Sequence, residues 1–153
     1  MHALELKIPP PAVAALFAAA MWSAADIAPS LAFPLPGQTG IAVVLAVAGV
    51  LISLSGVLAF RRAKTTVNPM KPQATSSIVT RGIYQHTRNP MYLGFLLALA
   101  GWGAYLSNAL ALGLAALFVA YMNRFQIVPE ERVLLAKFGA EFADYMKSVR
   151  RWL

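Results

Sequence analysis

Residues 40–60 read GIAVVLAVAGVLISLSGVLAF, a run without one charged side chain. At 1.5 Å per residue a helix of this length covers about 31 Å, the thickness of a bilayer's hydrocarbon core. An uncharged apolar run longer than about 18 residues reads as a membrane span rather than as the core helix of a small soluble domain. The stretch therefore decides the fold class: all-α, in a membrane. The rest of the sequence has to be read against that solvent.

The composition agrees. Of 153 residues 59% are hydrophobic and 12% charged, with a mean hydropathy of +0.62, where a soluble domain carries roughly a quarter charged residues. The length suits one compact unit. Three further apolar segments flank the first: about 11–31, which holds one acid, Asp26; about 91–106; and about 109–127, with Arg124 near its end. The segment over 11–31 has little basic region before it and no clear small-residue cleavage site, so it reads as a span and not as a signal sequence. The segment over 91–106 is short, and its first turn, with Tyr92, belongs at the interface. The expected fold is an all-α integral membrane protein with four transmembrane helices. Small residues spaced by four, Gly49 with Ser53 and Gly94 with Ala98, predict close helix approach.

Charge placement orients the chain. Residues 28–40, APSLAFPLPGQTG, are uncharged, and the third and fourth segments are joined by Ser107 and Asn108 alone. The second loop carries Arg61, Arg62, Lys64, Lys71, Arg81 and Arg88 with no acid. The C-terminal segment adds Arg132, Lys137, Lys147, Arg150 and Arg151. Positive charge stays on the cytoplasmic side, which places both termini and any polar chemistry there. A basic loop tethered beside anionic lipid fits a membrane surface better than a nucleic acid. With no cysteine in the chain, disulfides and thiolate chemistry are excluded.

The last stretch, PEERVLLAKFGAEFADYMKSVRRWL (129–153), is not a fifth span. Leu134, Leu135, Phe138, Phe142, Tyr145, Val149 and Trp152 recur at helical spacing among charged residues. That pattern predicts a C-terminal amphipathic helix, flat on the interface or folded back on the bundle, with a bend or break at Gly139.

The segment RGIYQHTRNPMYLG (81–94) carries the functional question. Locally, Asn89 suits a helix N-cap and Pro90 the first helical position. Likewise Pro129, Glu130 and Glu131 suit the first turn of a helix. Jointly they mean more. Two spans around a two-residue turn return the chain to its starting side, so Arg88, Asn89 and Tyr92 reach the same face as Arg124, Glu130 and Glu131. Ionisable residues converging at a membrane interface mark a functional site. His86 has no partners for a metal site, so no metal is expected.

These residues resemble the integral-membrane methyltransferases that include isoprenylcysteine carboxyl methyltransferase and the phospholipid methyltransferases. The family pattern reads here as Gly82, Tyr84, Arg88, Asn89, Pro90, Tyr92 and Gly94, then Glu130, Glu131, Leu134, Phe138, Gly139, Tyr145, Arg151 and Trp152. It covers about residues 64–153. Asn89 stands where better-known members have His, so no role of that ring carries over. The resemblance implies S-adenosylmethionine as methyl donor, bound in residues 64–153 on the cytoplasmic side, with residues 1–63 as a two-span scaffold. It also implies a lipophilic or lipidated acceptor arriving from the membrane lipids. A short N-terminal part suits a compact prokaryotic inner-membrane form. Arg88, backed by Arg150 or Arg151, suits the donor's carboxylate. Glu130 and Glu131 suit its ammonium and ribose. Tyr84, Tyr92 and Phe125 suit the adenine or the sulfonium. Gly82, Asn89 and Pro90 complete the expected cofactor set. Glu131 is the residue to accept a proton from an amine or thiol acceptor, and Arg124 the one to orient an anionic acceptor. A phospholipid amine, a small thiol or a quinone-like lipid remains open as acceptor, as does a non-catalytic membrane subunit or small transporter.

Overall fold

A proline run and a left-handed glycine set the first two helices. Pro10 and Pro11 open helix α1 (Pro10–Ile27), where a missing N–H costs nothing. Gly37, at φ +74°, turns the chain into α2 (Gln38–Arg62). In the computed structural model, which describes residues 5–66, 68 and 70–153, these are followed by α3 (Pro90–Leu106), α4 (Ala109–Met122), a π-helical turn (Asn123–Ile127), α5 (Val128–Phe138) and α6 (Ala140–Ser148). Among the described residues, three helices are long and apolar enough to cross a membrane: α1, α2 and the continuous helix Ala109–Phe138. α3 is apolar but shorter, at about 26 Å by its residue count.

α2 touches the body almost entirely through α3, and the seam is made of missing side chains. A Cβ on Gly49 would run into the Gly94 carbonyl, and one on Gly94 into Ser53 Oγ and the Gly49 carbonyl. Farther along, a Cβ on Gly56 would lie 2.9 Å from Pro90 Cγ. The backbones approach because these residues are small, as membrane helices require when no hydrophobic effect drives them together. The opposite side of α2 leaves Val44, Leu51 and Val43 exposed, an apolar face suited to lipid.

The second packing layer is α1, α3 and α4. Phe118, Met21 and Met122 are fully buried among them, with Phe17 edge-on to Phe118 at 5.5 Å. Trp102 ties α3 to α1 by donating from Nε1 to the Ala18 carbonyl at 3.1 Å. At the end far from the C-terminus, Ser107 takes φ +48° and Asn108 Oδ1 accepts from the amides of Leu110 and Ala111, capping α4. The two-residue turn read from the sequence is thus built by an αL residue and an N-cap. Asp26 lies exposed in the last turn of α1, near that same end.

Two local expectations change. Asn89 occupies the N-cap position of α3, yet its side chain makes no cap bond: Nδ2 donates to the Arg151 carbonyl at 2.9 Å. The C-terminal stretch breaks at Gly139, as its sequence predicts, where φ +54° and ψ −126° separate α5 from α6; what differs is that the chain leaves helical geometry after Ser148. Val149 and Trp152 therefore lie off the helical stripe that the spacing predicted. α6 folds back through Phe142 and Tyr145 onto Tyr84 and Phe60.

Candidate functional site

The site forms where the starts of α3 and α5 meet α6 and the last residues of the chain. Arg88 precedes α3. Its Nη2 donates to Glu131 Oε1 at 2.7 Å, and its Nη1 donates to the carbonyls of Met146 and Val149 at 2.7 and 2.9 Å. Arg151 grips the same carboxylate, from Nε at 3.1 Å to Oε1 and from Nη2 at 2.7 Å to Oε2. Glu131 is thus held between two guanidiniums, an arrangement that offsets the cost of burying each charge. Glu130, one residue earlier, points to a different partner: its Oε2 accepts from Tyr92 Oη at 3.0 Å.

The backbone after α6 is tied into the same cluster. The Arg88 amide donates to the Arg150 carbonyl at 3.0 Å, and Trp152 Nε1 donates to Asn123 Oδ1 at 3.0 Å in the π turn. Residues 149–152 form a strap across the beginnings of α3 and α5.

Beside this cluster lies a cleft that is partly open to solvent, with about 790 Å³ of empty space when the open part is counted. Glu130, Glu131, Tyr92, Arg88 and Asn89 line one side. Phe60, Ile78, Val79, Leu134, Phe142 and Tyr145 supply an apolar and aromatic wall, and Thr66, Asn68, Thr75 and Ser77 a polar rim. Two buried polar atoms at this cleft, Tyr84 Oη and Arg88 Nε, have no hydrogen-bond partner among the described residues. Buried polar groups are seldom left so without a ligand or water to meet them. Burial pushes the Tyr84 hydroxyl's pKa up, with Glu130 and Tyr145 adding to it, and burial raises that of Tyr145 to about 12 against a lowering by Arg88. Both phenols are neutral donors at neutral pH.

Of the residues nominated from sequence, Tyr84, Arg88, Asn89, Tyr92, Glu130 and Glu131 meet at the cleft. Gly82, at φ +64°, turns the loop that delivers Tyr84, and Pro90 packs against Gly56; neither lines the cleft. Arg150 contributes its carbonyl, and Arg151 acts through Glu131. Arg124 faces elsewhere: its Nη1 meets Glu5 Oε1 at 2.9 Å, and its guanidinium lies over Phe125 at 5.3 Å. Phe125 itself packs on Tyr121, outside the cleft. His86 is exposed, and among the described residues no group of three His, Cys, Asp or Glu side chains is placed to hold a metal. The polar rim of Thr66, Asn68, Thr75 and Ser77 is not legible in the sequence, because a loop has no periodicity to mark its inward face. Phe142 is legible in the sequence only as part of an apolar stripe, and Tyr145 as part of that stripe and of the family pattern.

The sequence profile of the phospholipid methyltransferase family matches residues 38–141, more than half of the chain. An uncharacterised protein of Haemophilus influenzae is 46% identical over 63 residues, 41% of this chain and the whole of that one. Protein-S-isoprenylcysteine O-methyltransferase A of Arabidopsis thaliana is 28% identical over 109 residues, which cover 69% of this chain and 54% of that enzyme, so the chain spans about half its length. No solved structure matches. With its apolar helices, its cleft at one end of the bundle and this match, the chain belongs to the phospholipid methyltransferase family of membrane methyltransferases.

Proposed function

We propose that the protein transfers a methyl group from S-adenosylmethionine to a lipophilic, membrane-associated acceptor, in the manner the name of its Arabidopsis relative describes. In this reading α1, α2, α3 and α4 all cross the bilayer, both termini face the cytoplasm, and the cleft opens on that side. Residues 1–63 serve mainly as scaffold, since every cleft-lining residue except Phe60 comes from 66–145.

The observation that carries the reading is the cleft's polar set: an accepting carboxylate, Glu130, beside Tyr84 Oη and Arg88 Nε, which have no partner among the described residues, under aromatic walls. A zwitterionic sulfonium cofactor asks for that combination. Glu130 suits its ammonium or ribose hydroxyls, Tyr84 Oη and Arg88 Nε are donors for its carboxylate or ring nitrogens, and aromatic faces attract its cationic sulfur. When bound, such a cofactor supplies a methyl on positively charged sulfur; attack by an acceptor lone pair breaks the S–C bond and leaves a neutral thioether.

The chain's own contribution is placement and exclusion of water. Phe60, Ile78, Val79 and Phe142 dry the wall against which acceptor and donor align. A carboxylate acceptor attacks without losing a proton. An amine acceptor, which the family's phospholipid name favours, has to give one up. Glu131, the residue nominated from sequence for that proton, has its two oxygens engaged by Arg88 and Arg151, so the role falls to Glu130. Glu131 is then the fixed point around which the site is built.

Calorimetric titration of S-adenosylmethionine into the purified protein, in detergent and in lipid nanodiscs, tests the first half. Saturable binding that weakens in folded Glu130→Gln and Tyr84→Phe variants is expected; no binding by folded wild type in either medium overturns it. Labelled-methyl transfer to phospholipids and to farnesylcysteine analogues, assayed separately, then identifies the acceptor.

A further inference from the structure

The π turn Asn123–Ile127 sits immediately before Glu130 and Glu131, and three consecutive residues of it are held by one short N-terminal stretch. Arg124 Nη1 meets Glu5 Oε1 at 2.9 Å. The Phe125 carbonyl accepts from the Leu6 amide at 3.0 Å. Gln126 Nε2 donates to the Ile8 carbonyl at 2.7 Å. Arg132, beyond the acids, also approaches Glu5, at 3.7 Å.

The middle bond has a covalent cause. Pro129 has no N–H to offer the carbonyl four residues back, which is that of Phe125. The freed carbonyl would be costly to leave bare, and the Leu6 amide satisfies it. Leu6 reaches it with φ +57°, a conformation that a leucine adopts only when its surroundings impose it. Glu5 is buried, its side chain 2% exposed, while Arg124 is 43% exposed. A buried carboxylate deprived of its guanidinium partner is costly, so Glu5 and Arg124 are held together.

A π turn holds one residue more than the α-helix around it needs. If it relaxes, everything after it rotates by about 100°, the angle per residue of an α-helix. Such a rotation carries Glu130 away from Tyr92 and Glu131 out from between Arg88 and Arg151. We propose that residues Glu5–Ile8 are a register clamp on this turn, with Glu5 a positioning residue for the Glu130–Glu131 pair. Its effect on cofactor affinity rests on the methyl-donor reading above; its effect on helix register does not.

The test uses the full chain. Because there are no native cysteines, spin labels at Leu117→Cys and Ala136→Cys, both exposed and on either side of the turn, report the register directly at a separation of about 28 Å. The clamp predicts one sharp distance in the wild type and a shifted or broadened distribution in Glu5→Gln, with Glu5→Asp, which keeps the charge, staying near the wild type. It predicts cofactor affinity about tenfold weaker in Glu5→Gln, the loss of one charged hydrogen bond's worth of positioning. A folded Glu5→Gln protein whose label distances equal the wild type's overturns the clamp, even if its melting temperature falls, because only a register role moves the distance. A wild type that binds no cofactor overturns the methyl-donor reading and leaves the distance result to decide the clamp.

Discussion

Arg88 and Glu131, forty-three residues apart in sequence, meet at 2.7 Å with their side chains only 10% and 12% exposed. The pair joins the start of α3 to the start of α5, and through Arg88 Nη1 it also holds the end of α6. A buried ion pair is weak as a source of net stability but severe when one member is removed, because the other charge stays behind. Arg88→Ala is therefore expected to destabilise the protein by about 3 kcal/mol, and Glu131→Ala by a similar amount. The double variant should cost clearly less than the sum, since it leaves no orphaned charge between these two. Denaturation of the four proteins in the same detergent measures the cycle; additive losses would mean that the two residues act separately.

This pair also marks how far the sequence could be read. Residues 40–60 fix a membrane helix by length and lack of charge, and Ser107 with Asn108 fix the hairpin that brings Arg88 and Glu131 to one end. Neither inference needs tertiary contacts. The uses of the converging side chains do need them. Arg88 has the composition of a carboxylate-binding residue, but the geometry commits most of its donors to Glu131 and two carbonyls. Arg124 lies near the inner end of its helix, where the sequence suits it to an anionic acceptor, but Glu5, 119 residues away, pairs with it instead. Val149 and Trp152 continue a helical period, yet the carbonyls of Met146, Val149, Arg150 and Arg151 are taken by Arg88, Thr87 and Asn89, and the backbone follows them out of the helix. Periodicity records which residues are apolar, and long-range hydrogen bonds decide where the period stops.

The glycines of the α2–α3 seam and those on open faces should respond oppositely to one methyl group. At Gly94 a Cβ meets Ser53 Oγ and the Gly49 carbonyl, so Gly94→Ala forces the helices apart and should cost about 1–3 kcal/mol. At Gly113 nothing lies within 4 Å, so Gly113→Ala should gain up to about 1 kcal/mol from helix propensity. Thermal unfolding in a common detergent separates them. Equal responses would mean that the seam is not a close contact.

The two phenols at the cleft should also part company. Tyr145 Oη donates to the Tyr84 carbonyl at 2.7 Å, so Tyr145→Phe leaves that carbonyl without its partner and should cost about 1–2 kcal/mol. Tyr84 Oη has no partner among the described residues, so Tyr84→Phe should leave stability near the wild type's and show itself in ligand affinity. Alkali adds a second readout. Burial lifts the Tyr145 pKa from 10.0 to about 12, so its contribution is complete below pH 10 and drains away as pH rises towards 12, where the unfolded chain ionises first. Wild type should lose stability across that window and Tyr145→Phe should lose less, as unfolding curves at pH 9, 10 and 11 would record.

The strap's last anchor makes a prediction about motion. Trp152 Nε1 donates to Asn123 Oδ1 at 3.0 Å, the one side-chain bond described between the strap and the π turn. Trp152→Phe keeps an aromatic ring and removes the N–H, so the expected loss is about 1 kcal/mol. The larger effect is local. The Arg88 amide is protected by the Arg150 carbonyl, two residues before Trp152, so loosening the strap should speed hydrogen exchange at Arg88. Amides in the middle of α3 bond within their own helix and should be unaffected. Asn123→Ala, which removes the acceptor from the other side, should reproduce the same exchange pattern, and combining the two should add little. If Arg88 exchanges at the wild-type rate in both variants, the strap is held by its bonds to Thr87, Arg88, Asn89 and Glu131, and the Trp152–Asn123 bond follows its position instead of setting it.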